Sequence, residues 1–190
     1  MHPQPEAYTG NVNTTGPQSC YDEGKRCAET LFTDYRRQYD VPVKIAHIFN
    51  TYGPRTHPDD GRVISNFIVQ ALRGEALAIH GDGSQTRSLC CVDDLVEGLI
   101  RLMATCDDVT GPVRLGSADE TSIHDLAEQV VKLTGSASTI AFHPKQRDDP
   151  RQRQPDLATA ERVLGWRPSV PPETGRRETI AYFREVLGDP

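Results

Sequence analysis

Long apolar runs are missing from this sequence. Nothing in it approaches the roughly 18 consecutive apolar residues of a membrane-spanning helix, and its first residues lack the charged-then-apolar order of a secretory signal. The expected setting is the cytoplasm, with no membrane partner. Cysteine is sparse: Cys20, Cys27, Cys90, Cys91 and Cys106 are odd in number and contain no C-x-x-C pair. They read as reduced thiols rather than a disulfide framework or a zinc site. A positive excess is also lacking, because 21 Lys and Arg face 27 Asp and Glu, for a formal net charge of -6. General nucleic-acid binding is excluded on that balance, since it needs a basic face to displace phosphate counterions. Individual arginines can still hold a small phosphate ligand. His47, His57, His124 and His143 show no ligand spacing, so no metal site is expected. Internal repeats and low-complexity blocks are absent as well.

What is present is ordinary globular composition, 36% hydrophobic and 25% charged over 190 residues, enough for one domain or one domain with a small appendage. Residues 1–18 mix Pro, Gly, Asn and Thr without apolar periodicity and read as an irregular lead-in. A helix is predicted from about Ser19 to Gln38, with Ser19 as its cap. The run VKIAHIF (43–49) is short, β-branched and nearly continuous, the pattern of a strand buried on both faces. RVISNFIVQALRG predicts a second helix, with Val63, Phe67 and Ala71 as its stripe and Gly74 as its stop. Short strands follow in ALAIHGDG and TRSLCC, then a helix capped by Asp93 or Asp94 and running to about Ala104. GPVRLGS is a further strand, Thr121 and Ser122 open the helix IHDLAEQVVKLTG, and 143–156 is a charged loop. Helices near 157–164 and 173–187 flank GWRPSVPP, where Trp166 reads as core packing. Alternating strands and helices indicate an α/β architecture.

One spacing carries chemistry. Tyr21 and Lys25 stand four apart on the first predicted helix, so their polar tips project from one face. A free phenol has a pKa of about 10 and is neutral at pH 7, but a cation held beside it favours the phenolate and makes a usable base. By itself the spacing also serves an ordinary surface pair. Asn50, just before a turn, equally suits backbone capping. Arg87 equally suits an exposed strand, and Arg147, Arg151 and Arg153 a solvated loop.

Read together, CYDEGKR, HIFNTYGPR, DDGRVISNFIVQALRGE, GDGSQTRS, RQPD and LGWRP resemble the extended short-chain dehydrogenase/reductases that process nucleotide sugars, and among them the UDP-glucuronate decarboxylase family. The likeness runs over essentially the whole chain. It implies a Rossmann-like α/β fold, here its C-terminal part, with the remaining parallel strands and a small nucleotide-sugar-binding subdomain interleaved within 19–190. It implies Tyr21 as the base at the sugar 4-hydroxyl and Lys25 as the holder of the nicotinamide ribose. Asn50 and Arg87 with Arg153 would bind the diphosphate and sugar, and His80 would lie near the uracil. The implied cofactor is NAD, the implied substrate a UDP-sugar, and the implied assembly a homodimer through the helix of Tyr21. The implied reaction converts UDP-glucuronate to UDP-xylose through a 4-keto sugar. A related epimerase or 4,6-dehydratase, or a non-catalytic UDP-sugar-binding or dimerisation module, are the other readings.

The glycine-rich turn that grips a dinucleotide pyrophosphate is missing. Only 20 residues precede Tyr21, and Gly81-Asp82-Gly83 lies downstream with Thr86 where a third glycine would fall. The chain is therefore expected to be a truncated C-terminal portion, with an uncovered sheet edge that favours association. Within the matched part, His47 replaces the family's usual arginine and VRLGS its VNLGN.

Overall fold

Four strand pairs, three of them parallel, and six helices organise the chain in a computed structural model that describes residues 2–10, 13–17, 19–145 and 152–188. The order is α1 (Ser19–Tyr39), β1 (Ala46–Ile48), β2 (Thr51–Tyr52), α2 (Val63–Leu72), β3 (Leu77–His80), β4 (Thr86–Ser88) and β5 (Cys90–Cys91). It continues with α3 (Val92–Met103), β6 (Val113–Leu115), β7 (Glu120–Ser122), α4 (Ile123–Thr134), β8 (Ile140–His143), α5 (Ala158–Leu164) and α6 (Pro172–Leu187). β1 runs parallel to β6, β2 to β5 and β3 to β8, while β4 and β7 are antiparallel. The mixed α/β class agrees with the alternation in the sequence. Among the described residues no helix is long and apolar enough to cross a membrane.

Two apolar cores form. The larger joins Phe67 and Ile68 of α2, Leu77 and Ile79 of β3, Leu126 and Val130 of α4, and Ile180 and Phe183 of α6. α2 reaches it because apolar residues fill both of its inner rows, and it ends where Gly74 takes a left-handed φ of 69° that a side chain would resist. The smaller core packs Leu95 and Leu102 of α3 against Val113 and Leu115 of β6 and Trp166. Gly98 permits this approach, since a Cβ there would stand 3.1 Å from both Leu115 and Trp166.

Local expectations meet differences with clear causes. The run 43–49 pairs only over Ala46–Ile48, and Ile48 is exposed rather than buried on both sides. α3 starts at Val92 with Cys91 as its cap residue and no side-chain cap bond. Asp94 does not cap it: its buried carboxylate accepts the Ser169 amide (2.9 Å) and hydroxyl (3.0 Å) and the Val170 amide (3.0 Å), fixing the GWRPSVPP segment. Trp166 is buried as expected, and its indole donates to the Asp94 carbonyl at 3.0 Å. Ser122 caps α4 by accepting the Asp125 amide. β8 (Ile140–His143) lies just before the expected 143–156 loop and takes only His143 from it, while 146–151, with Arg147 and Arg151, lie outside the described residues.

Candidate functional site

α1 carries Tyr21 and Lys25 on one face, with Lys25 Nζ 5.6 Å from the Tyr21 ring centroid. Both side chains are exposed, Tyr21 at 62%, so the phenol faces outward rather than into a core. The helix meets the rest of the chain through polar contacts: Arg26 donates to the Thr9 carbonyl (3.3 Å), Arg36 to the Asp107 carbonyl (3.3 Å), and Glu29 pairs with His47 (3.1 Å).

A second group collects at the end of β1. Asn50 follows buried Phe49 and is half-buried, and its carbonyl accepts the Cys90 amide at 2.9 Å, which joins the β1 exit to β5. The Arg153 guanidinium lies 5.8 Å from the Phe49 ring centroid, and that of Arg114 on β6 lies 5.5 Å from the same ring. Arg114 was not among the sequence candidates. Its signals were a charge between Val113 and Leu115 in an otherwise apolar strand and the departure of VRLGS from the family's VNLGN. The 2–10 segment also takes part, because Gln4 bridges in parallel to Pro155, Glu6 accepts the Arg114 amide and the Thr159 hydroxyl, and the Tyr8 carbonyl accepts from Arg114. Lacking periodicity, it gave the sequence reading no hint of these contacts.

His80 and Arg87 flank the 81–85 turn. His80 is exposed at the end of β3 beside His143, their ring centroids 5.5 Å apart. The Gln85 amide donates to the His80 carbonyl at 2.7 Å, and Asp82 accepts the Ser84 amide, which holds the turn. Arg87 is half-buried on β4 opposite Thr121 and donates to the Thr86 carbonyl at 2.8 Å. The structure thus joins Tyr21 with Lys25, and Arg153 with the residue beside Asn50.

Clefts also open elsewhere among the described residues. One is lined by Asp94, Glu97, Arg101, Glu161, Trp166 and Arg167, another by Tyr52, Cys90, Cys91, Ser117, Asp119 and Val170. In the second, burial pushes the Cys90 thiol and the Tyr52 phenol up to about 12, so both stay protonated there. His124, expected from the sequence to have no ligand partners, brings a ligand atom within 4.8 Å of those of Asp125 and Glu128. His124 and Asp125 sit on the first turn of α4 and Glu128 on the second, close to the helix N-terminus, whose dipole opposes a cation.

Residues 1–116 match the model of the NAD dependent epimerase/dehydratase family. The chain belongs to that family. Among curated relatives it is 55% identical over 188 residues to UDP-glucuronic acid decarboxylase 5 of Arabidopsis thaliana, covering 99% of this chain and 54% of the relative. It is 55% identical over 190 residues to UDP-glucuronic acid decarboxylase 3 of the same organism, covering 100% of this chain and 55% of the relative. The chain spans about half the length of the curated relatives it matches. A solved UDP-glucuronic acid 4-epimerase from Bacillus cereus, in complex with UDP-glucuronic acid and NAD, superposes with a TM-score of 0.83 at 28% identity, covering 93% of this chain and 57% of that one. The fold is that of the extended short-chain epimerases and dehydratases.

Proposed function

We propose that this chain supplies the nucleotide-sugar side of an NAD-dependent UDP-glucuronate decarboxylase that forms UDP-xylose and CO2. The observation that carries the reading is 55% identity along the whole chain to relatives of that name, with an exposed Tyr21 and Lys25 together on α1. Tyr21 takes the proton of the sugar 4-hydroxyl as C4 becomes a ketone. That ketone is β to the C5 carboxylate, so the electrons of the breaking C5–carboxylate bond flow into it as CO2 leaves, and C5 is then protonated. NAD, when bound, supplies the acceptor and later the donor of the C4 hydride, so the net reaction is redox-neutral. An ammonium and a phenol open to a ligand on one helix face fit ribose hydroxyls, and Lys25 with Tyr21 would hold that end of the cofactor. Asn50, Arg87 and Arg153 bind the diphosphate and sugar, where a planar guanidinium suits phosphate oxygens, and His80 lies by the uracil. The division at residue 18, with 19–190 as one partial Rossmann-like unit, belongs to the same proposal. So does a homodimer through α1, whose exposed Leu31, Phe32, Tyr35 and Tyr39 give it an apolar side; light scattering that reports a monomer removes the dimer.

Calorimetric titration of the chain with UDP and with NAD, and turnover of UDP-glucuronate by a form of the relatives' full length, test the reading. UDP binding, CO2 release and UDP-xylose are expected, and Tyr21→Phe abolishes turnover while leaving UDP affinity nearly unchanged. Turnover without CO2 release indicates an epimerase instead, a reading that the fold match to a 4-epimerase favours. UDP binding with neither NAD binding nor turnover indicates a binding module. An active Phe variant removes the tyrosine from the mechanism.

A further inference from the structure

Arg114 is a charged side chain in a buried strand, only 5% exposed, and its partners come from distant parts of the chain. The residue's backbone amide donates to Glu6 at 3.3 Å, while the side chain's Nη2 donates to the Tyr8 carbonyl at 3.4 Å and its guanidinium lies over Phe49. The other Glu6 oxygen accepts the Thr159 hydroxyl at 3.0 Å, which ties the same carboxylate to α5. Arg114 Nε is buried without a hydrogen-bond partner. Burial disfavours its charge, as does neighbouring Arg153, while Glu6, Asp156 and Glu29 favour it. Because a guanidinium keeps its proton in proteins, the outcome is a fixed interior cation. Carboxylates of the lead-in, of the segment after Arg153 and of α1 favour its charge, while its hydrogen bond goes to the Tyr8 carbonyl.

The lead-in is in turn laddered to the Arg153 segment. The Gln4 amide donates to the Gln154 carbonyl at 3.0 Å, and the Asp156 amide to the Gln4 carbonyl at 2.8 Å, so the backbone on both sides of Pro155 moves with Gln4. Two guanidiniums on one aromatic ring repel each other, which favours the exposed Arg153 head turning outward from Arg114. We propose that Arg114 is a positioning residue: it pins the 4–8 segment to β6 and, through the Gln4–Pro155 ladder and the shared Phe49 ring, sets where Arg153 stands beside Asn50. Its effect on ligand binding rests on the reading above, in which Arg153 meets a nucleotide diphosphate.

Arg114→Met and Arg114→Lys test this by amide hydrogen exchange together with UDP and uridine affinity. In the Met variant, exchange at Gln4 and Asp156 should rise about tenfold or more while Phe67 and Val130 stay as protected as in the parent. UDP affinity should fall about tenfold, the scale of one charge-assisted hydrogen bond, with uridine affinity unchanged. Lys should restore part of both. Unchanged exchange at Gln4 and Asp156 overturns the proposal, and so does equal loosening of Phe67 and Val130, which would make Arg114 a general core residue. Should the Met variant not fold, Glu6→Ala, which removes the acceptor of both the Arg114 backbone amide and the Thr159 hydroxyl, carries the same exchange expectation with the same reversal. If the parent chain binds no UDP, the diphosphate reading fails, and the exchange pattern alone still decides the positioning role.

Discussion

α1 and α2 are both helices of this one chain, yet they are held by opposite means. Six of the 10 residues of α2 are buried against α4, α6 and β3, whereas none of the 21 residues of α1 is buried. Its exposed Leu31, Phe32, Tyr35 and Tyr39 make an apolar side without a cover, and its ties to the body are surface polar contacts of the kind that contribute about 0–1 kcal/mol each. Packing therefore stabilises the side that carries the proposed uridine and phosphate contacts. The side that carries the proposed base depends on whatever covers α1.

The sharpest way to break the comparison is to remove one ring from each side. Phe183→Ala on α6 should cost about 3–5 kcal/mol by loss of burial and a cavity, while Phe32→Ala on α1 should change the monomer by less than about 0.5 kcal/mol. Equal shifts in urea midpoint would show that α1 is packed after all. A smaller effect, about 1–2 kcal/mol, is expected for Asp94→Ala, because the Ser169 and Val170 amides lose their acceptor in a partly exposed segment where water can replace it only in part. Protease cleavage near 166–172 should then appear before cleavage elsewhere in the body.

Alkaline titration gives the mildest contrast. The folded pKa values of Cys90 and Tyr52 are raised to about 12 from ordinary values of 9.0 and 10.0, so the folded state holds these protons more tightly than the unfolded chain. Their contribution is whole below pH 9 and is lost as pH rises from 9 towards about 12. Stability measured against pH should fall across that window, and less steeply in Cys90→Ala. A profile unchanged by that substitution would mean that the thiol is not buried as described.

How much of this was legible in the sequence depends on where each contact lies. α2 and α4 were readable because their apolar rows repeat at helical spacing and their ends carry Gly74 and Ser122. The Tyr21–Lys25 proximity was readable for the same reason, being local to one helix. Asp94 was misjudged as a cap because its partners, Ser169 and Val170, lie some 75 residues away. Arg114, Glu6 and Gln4 were missed because no short-range pattern marks a carboxylate or a backbone ladder that closes across most of the chain. Local periodicity reveals elements, while the polar contacts that align them are set by tertiary approach.

The bridge between Gln4 and Pro155 also bears on the order of assembly. Its two partners are separated by most of the sequence, so closing it restricts a long stretch of the polypeptide and returns only a few hydrogen bonds. It should zip up last during folding, after the helical body has formed, and be among the earliest places to open under mild denaturant. Kinetic experiments that follow a fluorophore near residue 155 would then record a slower final step than one placed beside Phe67.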